Sequence, residues 1–497
     1  MNSSLLVIEF LVALLGLGVL LSDLWITTAA GRRSLAYVAA AGLLLIFTLH
    51  AGAFAPADGT AFGGMFVVDA LANFFKSLFL VAAMAVLLIS TRFAERLNGY
   101  GEFVALVLFG LVGMLLAASA NDFVLMFVAL ELITVTFYIL VSFQRNRLSS
   151  IEAGVKYLIF GALAAAFMVF GITLIFGAAN STNFYEIAAK QGELIKSPVF
   201  LIGLLLTFVG LGFKISAFPF QMWTPDVYQG APAPVTAFLA TGSKAAGFVL
   251  VLRLNYGVVP DLALGWTHLL LGFALATTLY GSFCALAQRS VKRLMGYSSI
   301  TNAGYLLIGI AAANSTGASA VAFFLVSYVF TTLLVFAVIT VVTAEGESDD
   351  VSAFSGLGQR SPFLAAGMTL GLVSLAGVPP LAGFFGKFWL FKSAALRVGD
   401  DRWFLVAILV ACVAVVMSLY YYFGIVRAMY WPRHAVEPAP IEPHLPIRLA
   451  MVTCIAAVLI LGVFPGGLVG VAQQAVAGLA PSPGMPAVHA VTPVAAH

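Results

Sequence analysis

Charge is scarce in this sequence: Asp, Glu, Lys and Arg make up 9% of its 497 residues, against about 25% in an average soluble domain. Apolar residues make up 62%, and no water-soluble fold can hide that much apolar surface. Cysteine is nearly absent. Cys284, Cys412 and Cys454 have neither a pairing pattern nor metal-ligand spacing, which argues against a disulfide framework or a cysteine-held metal, so they read as small core residues. No GxGxxG opens a helix after a strand, and there is no Walker loop, no CxxC and no haem-like histidine pair, so the chain is expected to hold no redox cofactor of its own. The formal charge of +3 is small and the basic residues are scattered, which excludes a nucleic-acid partner.

Long apolar runs fill the chain instead. A membrane-crossing helix needs about 20 mainly apolar residues, and about fourteen such runs can be read by that criterion. They lie near 4–26, 35–55, 66–90, 102–120, 122–144, 154–178, 198–221, 234–257, 266–288, 290–312, 317–343, 362–396, 404–428 and 447–475. The first lacks a basic leader and a small-residue cleavage site, so it is expected to remain as a span. Cytoplasmic loops carry the excess of Lys and Arg. One set of alternate loops holds thirteen, from Arg32 and Arg33 through Arg145, Arg147, Lys292 and Arg293 to Arg448; the other holds five, Lys190, Lys196, Arg253, Arg397 and Arg402. With fourteen spans, this puts both termini on the outer side.

Two spans are interrupted by proline and glycine: the seventh reads GLGFKISAFPFQMW and the twelfth SLAGVPPLAGFFGKFWLF. Paired interruptions at corresponding places point to inverted repeats with an ion site at each break. The expected architecture is an all-α polytopic membrane protein with two inverted five-helix repeats, helices 4–8 and 9–13, each with a broken helix. The domains would be 1–101 (helices 1–3), 102–260 (first repeat), 261–430 (second repeat), 431–476 (helix 14) and 477–497, an Ala- and Pro-rich tail expected to be disordered.

A charge at the bilayer centre costs about 2.5–3.5 kcal/mol on insertion scales, so each one demands an explanation. Four sit deep: Glu131 in span five, Lys214 just before the first break, Lys244 in span eight and Lys387 just after the second break. The six basic residues not assigned to loops are all lysine, the other three being Lys76, Lys156 and Lys392. A lysine taken out of water can give up its proton, whereas arginine cannot. The four deep charges are therefore expected to form a proton relay, with Glu131 paired to Lys214, Lys244 at mid-membrane and Lys387 handing the proton onward; the bland alternative is that they neutralise one another and fix packing. Lys156 and Lys392 read as snorkelling side chains, Asp69 and Lys76 as a possible local ion pair, Asp122 as a helix cap, His50 and His268 as isolated interfacial histidines, and Glu345, Glu347, Asp349 and Asp350 as a solvated loop.

Three long stretches carry a resemblance: FKISAFPFQMWTPDVYQGAPAPVTAFLATGSKAAGF, AQRSVKRLMGYSSITNAGYLLIG and AGVPPLAGFFGKFWLF. Together they closely resemble the N-type, antiporter-like subunits of bacterial NADH:quinone oxidoreductase, respiratory complex I. The resemblance implies a fourteen-helix fold and a proton-translocating place in the membrane arm, with Glu131, Lys214, Lys244 and Lys387 at the family's functional positions. It implies M-type and K-type neighbours, the lateral helix of an L-type subunit and membrane lipid as partners. NADH, FMN, iron–sulfur clusters and quinone would belong to other subunits. A multi-subunit cation/proton antiporter or a membrane-bound hydrogenase uses the same fold and stays open as the alternative, as does a purely structural spacer.

Overall fold

The computed structural model describes residues 3–26, 28–52, 58–93, 99–258, 266–346, 348–431 and 440–479. The tail expected to be disordered lies outside the described residues from 480 onward, as do Arg96, Glu347 and Arg433. Without water inside a bilayer every backbone N–H and C=O must be bonded within the chain, and the described residues meet that demand almost wholly with helices.

The long helices are α1 (Val7–Asp23), α2 (Ala29–Ala51), α3 (Ala70–Ser90), α4 (Tyr100–Ala118), α5 (Phe123–Val141) and α6 (Leu148–Ala179). The seventh span is α7 (Pro198–Ile215) followed by the short α8 (Trp223–Gly230). Then come α9 (Ala233–Val258), α10 (Thr267–Leu286), α11 (Val291–Ala311), α12 (Ser315–Gly346), the half-helices α13 (Pro362–Ala376) and α14 (Ala382–Ala395), α15 (Trp403–Tyr430), α16 (Leu445–Val463) and α17 (Gly466–Ala477). Their ends follow capping rules. Asp69, Asp122, Ser197 and Ser290 accept backbone N–H groups at the starts of α3, α5, α7 and α11, and Asn180 closes α6 in a left-handed conformation.

Among the described residues, 12 helices are long and apolar enough to cross a membrane, fewer than the runs read from the sequence, for physical reasons. The expected tenth span is the helix α11, but Lys292, Arg293, Ser298, Ser299, Thr301 and Asn302 make it too polar to count by composition. The expected twelfth span is two half-helices of 15 and 14 residues. The expected last span is retained as α16, shortened where Phe464 and Pro465 separate it from α17. The all-α expectation needs one amendment: Gly59–Ala61 and Phe66–Val68 form a small antiparallel hairpin, so α3 begins at Ala70 rather than near 66.

Burial sorts the helices into a centre and a rim. Every residue in the apolar window of α9 is buried, and 94% of that of α12, against 28% for α6 and for α15. The rim helices turn an apolar face outward, for example Phe10, Leu14, Leu17 and Leu21 on α1. Lipid tails are as apolar as leucine, so helices in a bilayer associate through close packing instead. Small residues provide it: a Cβ on Gly171 of α6 would come within 2.6 Å of the Gly203 carbonyl of α7, and one on Gly203 within 2.9 Å of the Gly171 carbonyl.

Candidate proton pathway

The two helix breaks are built alike. Helix α7 ends in the left-handed Ser216 (φ 63°) and α13 in the left-handed Gly377 (φ 87°), and each is followed by a cis X-Pro bond, Phe218-Pro219 and Pro379-Pro380. Trp223 Nε1 reaches back across the first break to the Phe213 carbonyl at 2.9 Å. At the second, the Gly383 N–H donates to Ser374 Oγ at 3.2 Å. A helix that stops inside the bundle leaves its last carbonyls without intrahelical partners, and these make a negative pole that attracts a cation.

A buried lysine stands beside each break, and at the second it reaches the helix carbonyls. Lys387, in the second turn of α14, donates to the Leu375 carbonyl at 2.6 Å and the Ala376 carbonyl at 3.2 Å, and its ammonium lies 4.9 Å from the centre of the Tyr305 ring. Lys214 sits in the last turn of α7 and donates to Thr134 Oγ1 of α5 at 3.0 Å. Its stem lies over Gly247 of α9, where a Cβ would stand 3.2 Å from Lys214 Cγ. Between the two, a π-helical turn at Leu239–Ser243 immediately precedes Lys244. Lys244 donates to the Ser299 carbonyl at 3.1 Å and also to the Ser299 hydroxyl. The three lysines are only 3%, 2% and 4% exposed for Lys214, Lys244 and Lys387.

Glu131 departs from expectation. It is half-buried rather than enclosed, and it forms no ion pair with Lys214 within 4.0 Å. The lysine bonds Thr134 instead, one turn along α5, and Glu131 acts on it only through space.

Other charges also find partners different from those expected. Asp69 and Lys76 do not pair: Lys76 meets Glu9 of α1 at 2.7 Å, while Asp69 receives both NH groups of Arg253 at 2.9 and 2.8 Å. Arg253, assigned above to a loop, is buried within α9 and also donates to the Ala118 carbonyl. His50 is buried against the Asn73 carbonyl, and His268 meets Asp401 at 3.0 Å, so neither is isolated. Lys156 does not simply snorkel but bridges Glu152 and Asp226. Asp122 is the cap it was read to be, and Asp349 binds the Ser290 hydroxyl, which ties the acidic loop to the start of α11. Cys412 is exposed on the rim rather than in the core.

Sequence reasoning missed two groups. Lys292 is buried and donates to the Ala231 carbonyl at 2.7 Å. It lines a cavity of about 1100 Å³, together with Arg147, Lys156, Asp226, Arg293 and Asp349. The cavity lies at the end of the bundle that carries the arginine-rich loops. Ser299 is the second, a buried hydroxyl that meets Lys244, Tyr228 and Tyr328. Its signal in the sequence was SSITN, a polar stretch inside an apolar run.

Residues 120–418 match the NADH:quinone oxidoreductase/Mrp antiporter transmembrane family. NADH-quinone oxidoreductase subunit N of Moorella thermoacetica is 39% identical over 476 residues, covering 95% of this chain and 98% of the relative. The Rhodospirillum rubrum subunit N is 37% identical, covering 94% and 95%. A chain of Thermus thermophilus respiratory complex I superposes with a TM-score of 0.75 at 32% identity, over 94% of this chain and 99% of that one. A Dietzia Mrp complex chain superposes at 0.82 with 17% identity, over 96% and 98%, a likeness of fold alone. Two matching broken helices, each with a buried lysine beside the break, and similarity to these relatives over nearly the full length lead to one placement: the chain belongs to the NADH:quinone oxidoreductase/Mrp antiporter family, among the N subunits of proton-translocating NADH-quinone oxidoreductase.

Proposed function

We propose that this chain carries protons through the membrane arm of complex I by way of Glu131, Lys214, Lys244 and Lys387, driven by electron transfer in other subunits. The observation that carries the reading is the company the lysines keep. Among the described residues none of the three is ion-paired, and each is held by neutral oxygens: Thr134 for Lys214, Ser299 for Lys244, and the α13 carbonyls for Lys387. A permanent carboxylate partner would hold a buried lysine charged; a neutral oxygen lets it cycle. Glu131 then acts as the adjustable charge. Moved toward Lys214 it favours the ammonium, and moved away it leaves two neighbouring lysines to repel, so that one releases a proton. Carrying one proton against 100 mV takes about 2.3 kcal/mol, well within what a change of charge pairing supplies out of water.

Intake is read at the 1100 Å³ cavity, whose Lys292 leads toward Ser299 and Lys244 along α11. Passage toward Lys387 is read past Asn302 and Tyr305, whose Oδ1 and hydroxyl bond no protein group. Helices 4–8 and 9–13 are read as the two inverted repeats, supported by the matching breaks. M-type and K-type neighbours, the L-type lateral helix, a bacterial inner membrane with periplasmic termini, and NADH, FMN, iron–sulfur clusters and quinone in companion subunits complete the proposal. Its test is Lys244→Ala in the whole complex. The variant is expected to assemble and oxidise NADH while moving fewer protons per electron into inverted vesicles; a full proton complement would end the relay assignment.

A further inference from the structure

Four elements converge on one hydroxyl. Ser299 of α11 is met by Lys244 of α9, by Tyr328 of α12 at 2.8 Å and by Tyr228 of α8 at 3.1 Å. All four side chains are buried. A serine hydroxyl has one proton to donate and two lone pairs to accept with, so three partners use its capacity fully and the direction of each bond is constrained.

With Lys244 as an ammonium, its nitrogen can only donate. The Tyr328 hydroxyl donates as well, so both lone pairs of Ser299 are filled and its own proton must point to Tyr228 Oη. With Lys244 as a neutral amine, the nitrogen has a lone pair of its own. Ser299 can then turn its proton toward Lys244, and Tyr228 donates into the place vacated. No covalent bond forms or breaks at Ser299 in this exchange: its O–H bond rotates, the Tyr228 O–H rotates with it, and the proton that leaves Lys244 goes to the next carrier in the relay.

We propose that Ser299 is the positioning residue of the relay, fixing Lys244 in place and reversing its hydrogen bond with Tyr228 each time Lys244 loses or regains its proton. Tyr228 makes the reversal readable elsewhere. It lies on α8, the short helix beyond the first break, two residues from Asp226, which Lys156 and Arg293 hold at the cavity wall. The charge of Lys244 is thereby linked to the element between the cavity and the break that seats Lys214.

This inference rests on the relay reading, and its test separates the two. The whole complex is prepared with Ser299→Ala, Ser299→Thr, Tyr228→Phe or Lys244→Ala, checked for assembly on native gels, and assayed in vesicles for protons moved per NADH oxidised. Ser299→Ala is expected to pump as poorly as Lys244→Ala, Ser299→Thr to recover more than half of the wild-type ratio because it restores a hydroxyl, and Tyr228→Phe to lose at least half although the Lys244 contact is intact. Should Ser299→Ala fail to assemble, Tyr228→Phe carries the test alone, since it removes one oxygen and keeps the ring. Wild-type pumping in Ser299→Ala or in Tyr228→Phe, beside a defective Lys244→Ala, overturns the inference and leaves the relay standing. An assembled Ser299→Thr no better than Ser299→Ala also overturns it. Wild-type pumping in Lys244→Ala removes the relay itself.

Discussion

Arginine and lysine are both buried here, and their partners divide them into two uses. Arg253 has a bidentate carboxylate and a backbone carbonyl, a set that satisfies a charge it can never give up. Lys244 has only oxygens that tolerate either protonation state. Lys244→Arg, which keeps the charge and forbids its release, is therefore expected to lose proton pumping as fully as Lys244→Ala in vesicles energised with NADH; retained pumping would mean that positive charge alone suffices. Arg253→Ala leaves Asp69 without its partner. Breaking such a pair costs about 3–5 kcal/mol when both groups are buried, and because Asp69 is 32% exposed the loss here is expected nearer 2 kcal/mol. Thermal melting of the purified complex should fall while the proton-to-electron ratio of what survives stays unchanged.

The decisive elements are the interrupted helices. Proline in a helix interior removes a hydrogen bond and clashes with the preceding turn, so the two breaks are written locally. Their geometry depends on what packs against them. A Cβ on Gly383 would stand 1.9 Å from the Ser374 carbonyl, and one on Gly462 of α16 would stand 2.1 Å from the Pro380 carbonyl. Neither contact can be relieved by a side-chain rotation, because the opposing atoms are backbone. Gly383→Ala should push α14 away from α13 and draw Lys387 off the Leu375 and Ala376 carbonyls, and so should lower pumping by severalfold at an NADH oxidation rate that changes less. Equal loss of both would indicate failed assembly instead, and native-gel abundance distinguishes the two.

For the whole molecule, a rim of helices with outward apolar faces encloses the buried α9 and α12, and the charges proposed for the relay lie inside that rim with one exception. Glu131 is half-buried on α5, so a neighbouring subunit can act on it directly while the lysines remain enclosed. Other subunits of complex I are this chain's partners. Tagging the chain and extracting it in mild detergent should bring out a large assembly with flavin and iron–sulfur absorbance and NADH-to-quinone activity. Recovery with small hydrophobic proteins alone and no redox activity would turn attention to cation/proton exchange in vesicles.

The sequence alone determined the membrane class, most of the spans, the two breaks and the three deep lysines. Each of these is local: hydropathy sums over one helix, proline acts on its own turn, and a charge in an apolar run stands out wherever it falls. Only tertiary structure decided the partners. Spacing of seven on α3 made Asp69 and Lys76 look like a pair, yet Arg253 and Glu9, distant in sequence, take them separately. Thr134, not Glu131, received Lys214, and Ser299 emerged as the hub around Lys244. Which buried group meets which depends on how helices rotate against one another, and in a bilayer that rotation follows close packing of small residues and polar contacts summed over many helices, which no single stretch of sequence encodes.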